Sequence, residues 1–196
     1  MMQAFDDAVE FHGHSCPGLA IGYRVSLRAL KELGGRSADE EIVAIVENSS
    51  CAVDAVQVMT GCTFGKGNLI FRDYGKQVYT FISRQSEKSI RIAVHLTKQP
   101  ETAEEHMAWA KYMKGDRSKS VLKQVHDRKA AKLNYILKAG DKELLEVRKG
   151  RTPLPAEAHI YRSLTCETCS EQMMEPRARI REGKTVCIPC FEARSL

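Results

Sequence analysis

Cys166-Glu-Thr-Cys169 is followed, after seventeen residues, by Cys187-Ile-Pro-Cys190. This spacing constrains the chain more than any other feature. A two-residue spacer lets both thiols of a pair point at one ion, and the intervening segment can return the second pair to complete a tetrahedron, the pattern of a four-thiolate zinc site. Four thiolates leave no open position, so the predicted role of the Zn2+ is structural. A segment of this length is also too small to hold a core without such a staple. A four-cysteine iron–sulfur site and a redox-active CxxC are the alternatives; one metal shared by two pairs accounts for the spacing better than two redox motifs.

The remaining cysteines, Cys16, Cys51 and Cys62, lie in the first third of the 196 residues, and no cysteine occurs between Cys62 and Cys166. Two separate pieces of chemistry are therefore expected. Seven cysteines form an odd set, and Asp6, Asp7 and Glu10 stand where a signal peptide would be basic and then apolar. Both features argue for a reducing compartment, with a cytoplasmic location as the expectation, and for thiols that bind metal or react. The longest aliphatic run, Ile42–Val46, is far below the roughly 18–20 apolar residues of a membrane span. Thirty Lys and Arg against 25 Asp and Glu give a net charge of +5, too slight to argue for nucleic acid.

Apolar spacing predicts a short helix over residues 3–11 and a largely buried one from Pro17 to the Gly34-Gly35 stop, carried by Leu19, Ile21, Val25, Leu27, Leu30 and Leu33. Glu41–Glu47 reads as a strand, Cys51–Met59 as a helix ending at Gly61, and Leu69–Tyr74, Val78–Ser83 and Ile90–Leu96 as strands, the last two a hairpin. Residues 101–138 read as two helices broken near Gly115–Ser118, with their many lysines and arginines on a solvated face. Short strands are predicted at Glu143–Arg148 and Ala158–Tyr161, around the stiff Thr152-Pro153-Leu154-Pro155 connector. The order implies an α+β core domain, residues 1–157, with a mainly antiparallel sheet packed by helices; residues 158–196 form the finger.

His12-Gly-His14-Ser-Cys16-Pro17-Gly18 places two imidazoles and a thiol within five positions before a helix. In an extended stretch, His12, His14 and Cys16 would share one side and converge on an ion. The helix N-terminus following them favours a Cys16 thiolate. Cys51 starts another helix, Asp54 follows one turn on, and Cys62 lies past its end. Such a mixed set suits zinc or another transition metal, with donors to spare for an open position. Taken singly, a cysteine at a helix start is more often a small buried side chain than a ligand. Gly61–Gly67 contains Gly-Lys but lacks the spacer and Ser/Thr of a phosphate-binding loop, which excludes a nucleotide triphosphatase of that type.

Within the finger, Arg177, Arg179 and Arg181 recur at period two, which in a strand would put them on one face, either solvated or turned to phosphate. Six Lys and Arg against five Asp and Glu in residues 160–196 weaken the nucleic-acid alternative.

Three segments together, FHGHSCPGLAIGYR (Phe11–Arg24), CAVDAVQVMTGCTFGKGNLIFRDYGK (Cys51–Lys76) and the terminal CETC and CIPC pairs, resemble the formylmethanofuran dehydrogenase E-subunit family. The finger itself resembles the treble-clef or ribbon-type class, which also serves protein contacts. The resemblance implies an α+β core forming an intertwined homodimer and an accessory role beside oxidoreductase subunits of a molybdenum- or tungsten-dependent enzyme of one-carbon metabolism. It implies a core pocket at His12, His14, Cys16, Cys51, Asp54 and Cys62, whose occupant is either a second transition metal, as the donor types suggest, or a small molecule. If that pocket is catalytic, Cys16 or Cys51 would be the nucleophile, or a metal-bound water the reactive group. No pterin fingerprint and no ferredoxin-like cysteine run is present, so that redox chemistry would belong to other subunits. The alternative is a zinc-finger regulator or metal sensor contacting nucleic acid or a protein partner; a stand-alone enzyme using the core pocket is the third.

Overall fold

In the computed structural model, which describes residues 4–95 and 102–193, strand β1 (Ile42–Val46) is buried along its whole length. Its five residues are β-branched or small, so both faces of the pleat can be covered. It sits inside a five-stranded sheet of order β2-β1-β3-β4-β5, with β2 (Leu69–Phe71), β3 (Val78–Ser83), β4 (Ser89–Val94) and β5 (Leu145–Gly150). β1 and β2 are parallel, joined through helix α3 (Ala52–Thr60); the other three pairings are antiparallel. The sheet is thus mainly antiparallel, as the sequence implies, with one parallel edge.

The helices include α1 (Phe5–His12), α2 (Pro17–Leu33), α4 (Ala103–Met113), α5 (Lys119–Lys138) and the one-turn α6 (Asp141–Leu144). α2 packs on α3 and α5 and lies against β3 and β4, and α4 packs on α5. Val25, Ala29, Tyr79, Phe81, Ile90, Ile92 and Ile136 fill this core at 1% exposure or less. Each large side chain so buried contributes roughly 1.5–3 kcal/mol against the exposed state. Arg24, on the buried side of α2, donates to the Ile136 and Ala139 carbonyls and pairs with Asp141 at 2.8 Å. These bonds satisfy carbonyls at the end of α5 and lock it to α2. Thr102 caps α4 by accepting the Glu105 N–H, with Glu105 reciprocating in a capping box.

Several expected boundaries shift. α1 runs one residue further and takes in His12, then stops at Gly13. β2 ends at Phe71, because it pairs only with Ala44–Val46 at the sheet edge. The expected strand Ile90–Leu96 is Ser89–Val94, and Leu96 lies outside the described residues. Ala158–Tyr161 is not a strand.

The chain forms two compact units, Met1–Glu157 and Ala158–Leu196. In the second, hairpin β6 (Ser163–Thr165) and β7 (Gln172–Met174) flanks the first cysteine pair. Hairpin β8 (Arg179–Arg181) and β9 (Lys184–Val186) leads to the second pair, at the start of α7 (Ile188–Glu192). A knuckle, a hairpin and a short helix in this order make a treble-clef finger. No helix among the described residues is long and apolar enough to cross a membrane.

Candidate metal centres

α1 ends at His12 because Gly13 takes a left-handed φ of 89°, its N–H bonded to the Val9 carbonyl. This overturns the extended-run argument: His12 belongs to a helix, so period two does not relate it to His14 and Cys16. The convergence comes instead from three helix ends. His12 closes α1, Cys16 caps α2 by accepting the Leu19 N–H at 3.4 Å, and Cys51 immediately precedes α3. Two glycines allow the last approach. A Cβ at Gly18 would stand 3.2 Å from the Cys51 Cβ, and one at Gly22 would collide with the Ala52 carbonyl. The i, i+4 spacing of Gly18 and Gly22 on a buried helix face was the available signal for this close crossing.

Nε2 of His12 lies 3.9 Å from Cys16 Sγ, and Nε2 or Nδ1 of His12 with the sulfurs of Cys16 and Cys51 all fall within 4.8 Å of one another. Nδ1 of His12 is 2.7 Å from Oδ2 of Asp54. A carboxylate accepting the Nδ1 proton turns the Nε2 lone pair toward the two sulfurs, the arrangement that orients a metal-binding imidazole. Burial pushes the Cys51 thiol up, and the neighbouring Cys16 sulfur adds to it. A cation between the two sulfurs would offset that repulsion. One nitrogen and two sulfurs suit a borderline transition metal and leave a fourth position open.

The other expected pocket residues are placed differently. The His14 ring stands 4.5 Å from that of His12, tilted 35°, outside the donor group. Asp54 reaches the site through His12. Cys62 is fully buried past the C-terminal end of α3, where its thiol donates to the Ile42 carbonyl at 3.2 Å and burial raises it to about 11. It packs the core. Beside the donor group a cleft of about 310 Å³ opens between the start of α2 and α5, with Cys16 and His14 on one wall and His126, Lys129 and Leu133 on the other. Sequence reasoning missed this cleft because its walls are more than a hundred residues apart.

In the finger, the sulfurs of Cys166, Cys169, Cys187 and Cys190 lie within 4.8 Å of one another. Cys169 and Cys187 are separated by 3.8 Å, and the edge of a tetrahedron with Zn–S bonds of about 2.3 Å is also about 3.8 Å. Backbone N–H groups, from Cys169 and Cys187 first, hold the Cys166 thiol down to about 6. Cys190, hydrogen-bonded to the Cys187 and Cys169 sulfurs, is pushed up to about 12. Four thiolates this close call for a dication, and the donor set fits Zn2+. Arg179 and Arg181 share β8, whereas Arg177 closes a 3-10 turn, so the three-arginine face does not form. Arg181 donates to the Cys190 and Ala193 carbonyls and so braces the second knuckle.

The family described as FmdE, molybdenum formylmethanofuran dehydrogenase operon, matches residues 11–146. The prokaryotic dksA/traR C4-type zinc finger matches residues 159–195. A protein of Archaeoglobus fulgidus, named a probable S-adenosyl-L-methionine-binding protein, is 31% identical over 195 residues, which cover 93% of this chain and 51% of that relative. The chain thus spans about half the length of the relative. A crystal structure of a protein like the tungsten formylmethanofuran dehydrogenase component FmdE, from Syntrophus aciditrophicus, is similar with a TM-score of 0.64 at 25% identity. That similarity covers 95% of this chain and 89% of the other.

Proposed function

Because the chain belongs to the FmdE family and carries a C4-type zinc finger behind the family domain, we propose that it is a two-metal accessory protein of a formylmethanofuran-dehydrogenase-like system of one-carbon metabolism. It acts as an intertwined homodimer beside oxidoreductase subunits, and the finger's zinc is structural. In the core, His12, Cys16 and Cys51 hold a divalent transition metal with one open position. The observation that carries this is the meeting of the three donor atoms within 4.8 Å, with Asp54 at 2.7 Å behind the imidazole. When bound, such a metal supplies Lewis-acid polarisation of whatever occupies its open position. The chain's own residues orient the imidazole through Asp54 and bring the two sulfurs together through Gly18 and Gly22. Cys16 and Cys51 are then metal thiolates, and neither is a free nucleophile.

Elemental analysis of the purified full chain tests this. Wild type should carry two metals per chain, and Cys166→Ser/Cys169→Ser should keep one. Cys51→Ser should also keep one, the finger zinc. A tail variant left with no metal would sink the core site. Recovery of the tagged chain with oxidoreductase subunits from its own cells tests the accessory role.

The second reading, a metal-sensing regulator, draws on the finger's match to the dksA/traR type. Salt-dependent binding of the purified protein to duplex DNA would favour it, since phosphate contacts release counterions. The ligand in the Archaeoglobus relative's name is brought to this chain by calorimetric titration with S-adenosylmethionine.

A further inference from the structure

The cleft beside Cys16 carries the charge of Lys129 over an apolar floor. Lys129, His14 and His126 line it, no carboxylate does among the described residues, and Pro17, Ala130 and Leu133 supply the apolar surface. Asp127, the nearest acid to His126, lies 3.7 Å from its Nδ1 and does not line the cleft. The Lys129 ammonium stands 5.7 Å from the centre of the Tyr112 ring, a contact that steadies the cation without neutralising it. The positive end of the seventeen-residue α2 opens on the same space through Cys16 and Pro17. A volume of about 310 Å³ is that of a site for a small molecule.

Lys129 is the one permanently charged side chain among the described lining residues, and a single point charge balances a monoanion better than a phosphate dianion. We propose that this cleft binds a short-chain organic carboxylate, its head group held by Lys129 with His14 and His126 and its chain laid on Leu133, Ala130 and Pro17. The inference deepens the core-metal reading and rests on it, because Cys16 belongs to both: the bound carboxylate stands beside the position that the three donors leave open.

The test is a titration of the full, metal-loaded chain with butyrate, followed by NMR of ring-labelled histidines assigned with His14→Gln and His126→Gln. The signals of His14 and His126 should shift saturably, acetate should bind more weakly, and butyramide should leave them unmoved. Lys129→Gln should weaken butyrate by about tenfold or more, the loss of one charge-assisted hydrogen bond, with metal content unchanged. His126→Gln, read on the His14 signal, serves as the second variant should Lys129→Gln fail to fold.

Unshifted His14 and His126 signals with acetate, butyrate and hexanoate would overturn the inference, as would affinity indifferent to Lys129→Gln. Methyl phosphate binding more tightly than butyrate would also overturn it. Lys129-dependent binding by a chain whose elemental analysis shows no core metal would keep the carboxylate site and remove the metal reading. A core metal without carboxylate binding would do the reverse.

Discussion

Nδ1 of His12 and Oδ2 of Asp54 meet at 2.7 Å although 42 residues separate them in the chain. The bond ties the end of α1 to the first turn of α3 and fixes the direction of Nε2. Asp54→Asn keeps the shape and removes the negative charge that makes the imidazole a stronger donor. Core-metal affinity should fall by about 10–100-fold, with the finger zinc retained. Competition with a chromophoric chelator reads both sites, and equal core affinity in the variant would mean that Asp54 plays no part.

Gly22 sets how near α3 can come to α2. A Cβ there would collide with the Ala52 carbonyl, which is backbone and cannot rotate away. Gly22→Ala should cost about 1–3 kcal/mol by overpacking and move Cys51 off Cys16, so core-metal affinity should drop with the melting temperature. Gly35→Ala is the control, since its Cβ meets nothing within 4 Å. It should change stability by about 0.5 kcal/mol or less.

The geometry of the finger was legible because CxxC spacing is local and carries its own geometry. The sheet strands were legible for a similar reason: β3 and β4 announce themselves by composition and a turn. The core site was legible in membership only. His12, Cys16 and Cys51 stand out as residue types, but what joins them is a helix stop at Gly13 and a glycine-lined helix crossing, both properties of packing. Cys62 belongs to the same family-like segment as Cys51, but it lies past the opposite end of α3, where its thiol meets the Ile42 carbonyl. Arg24 gave no signal at all: an arginine in an apolar helix acquires its meaning from carbonyls 112 and 115 residues away.

Glu41 provides a titratable contribution away from both metal sites. It accepts the Ser37 hydroxyl at 2.7 Å and the Asp39 N–H at 2.9 Å. The Ser37 bond first, and backbone N–H groups after it, hold its carboxyl at about 2, below the ordinary 4.5. A lowered folded value means the ionised form favours folding. That contribution is complete above pH 4.5 and drains away as pH falls toward 2. Glu41→Gln should therefore melt earlier than wild type at neutral pH, and the gap should close across that window. A gap of constant width from pH 7 to pH 2 would show that the carboxylate charge is not what matters.

The finger should depend on its metal for folding, and the core unit should not. Among the described residues of 158–193 only Cys166 and Val186 are buried. Two small side chains leave nearly all of the apolar surface in water, so they cannot offset the roughly 1–2 kcal/mol per residue of backbone ordering entropy. The core, in contrast, encloses Tyr79, Phe81, Leu19, Met59 and several isoleucines at 1% exposure or less. Binding of zinc by four thiolates supplies, on the order of 10–16 kcal/mol at neutral pH, the term that the finger lacks. A strong chelator, or Cys190→Ser, should thus abolish amide-exchange protection in β6 to β9 and open residues 158–193 to protease. Protection in β1, β3 and β4 should persist. Finger amides that stay protected after zinc is removed and assayed as absent would show that the hairpins hold themselves.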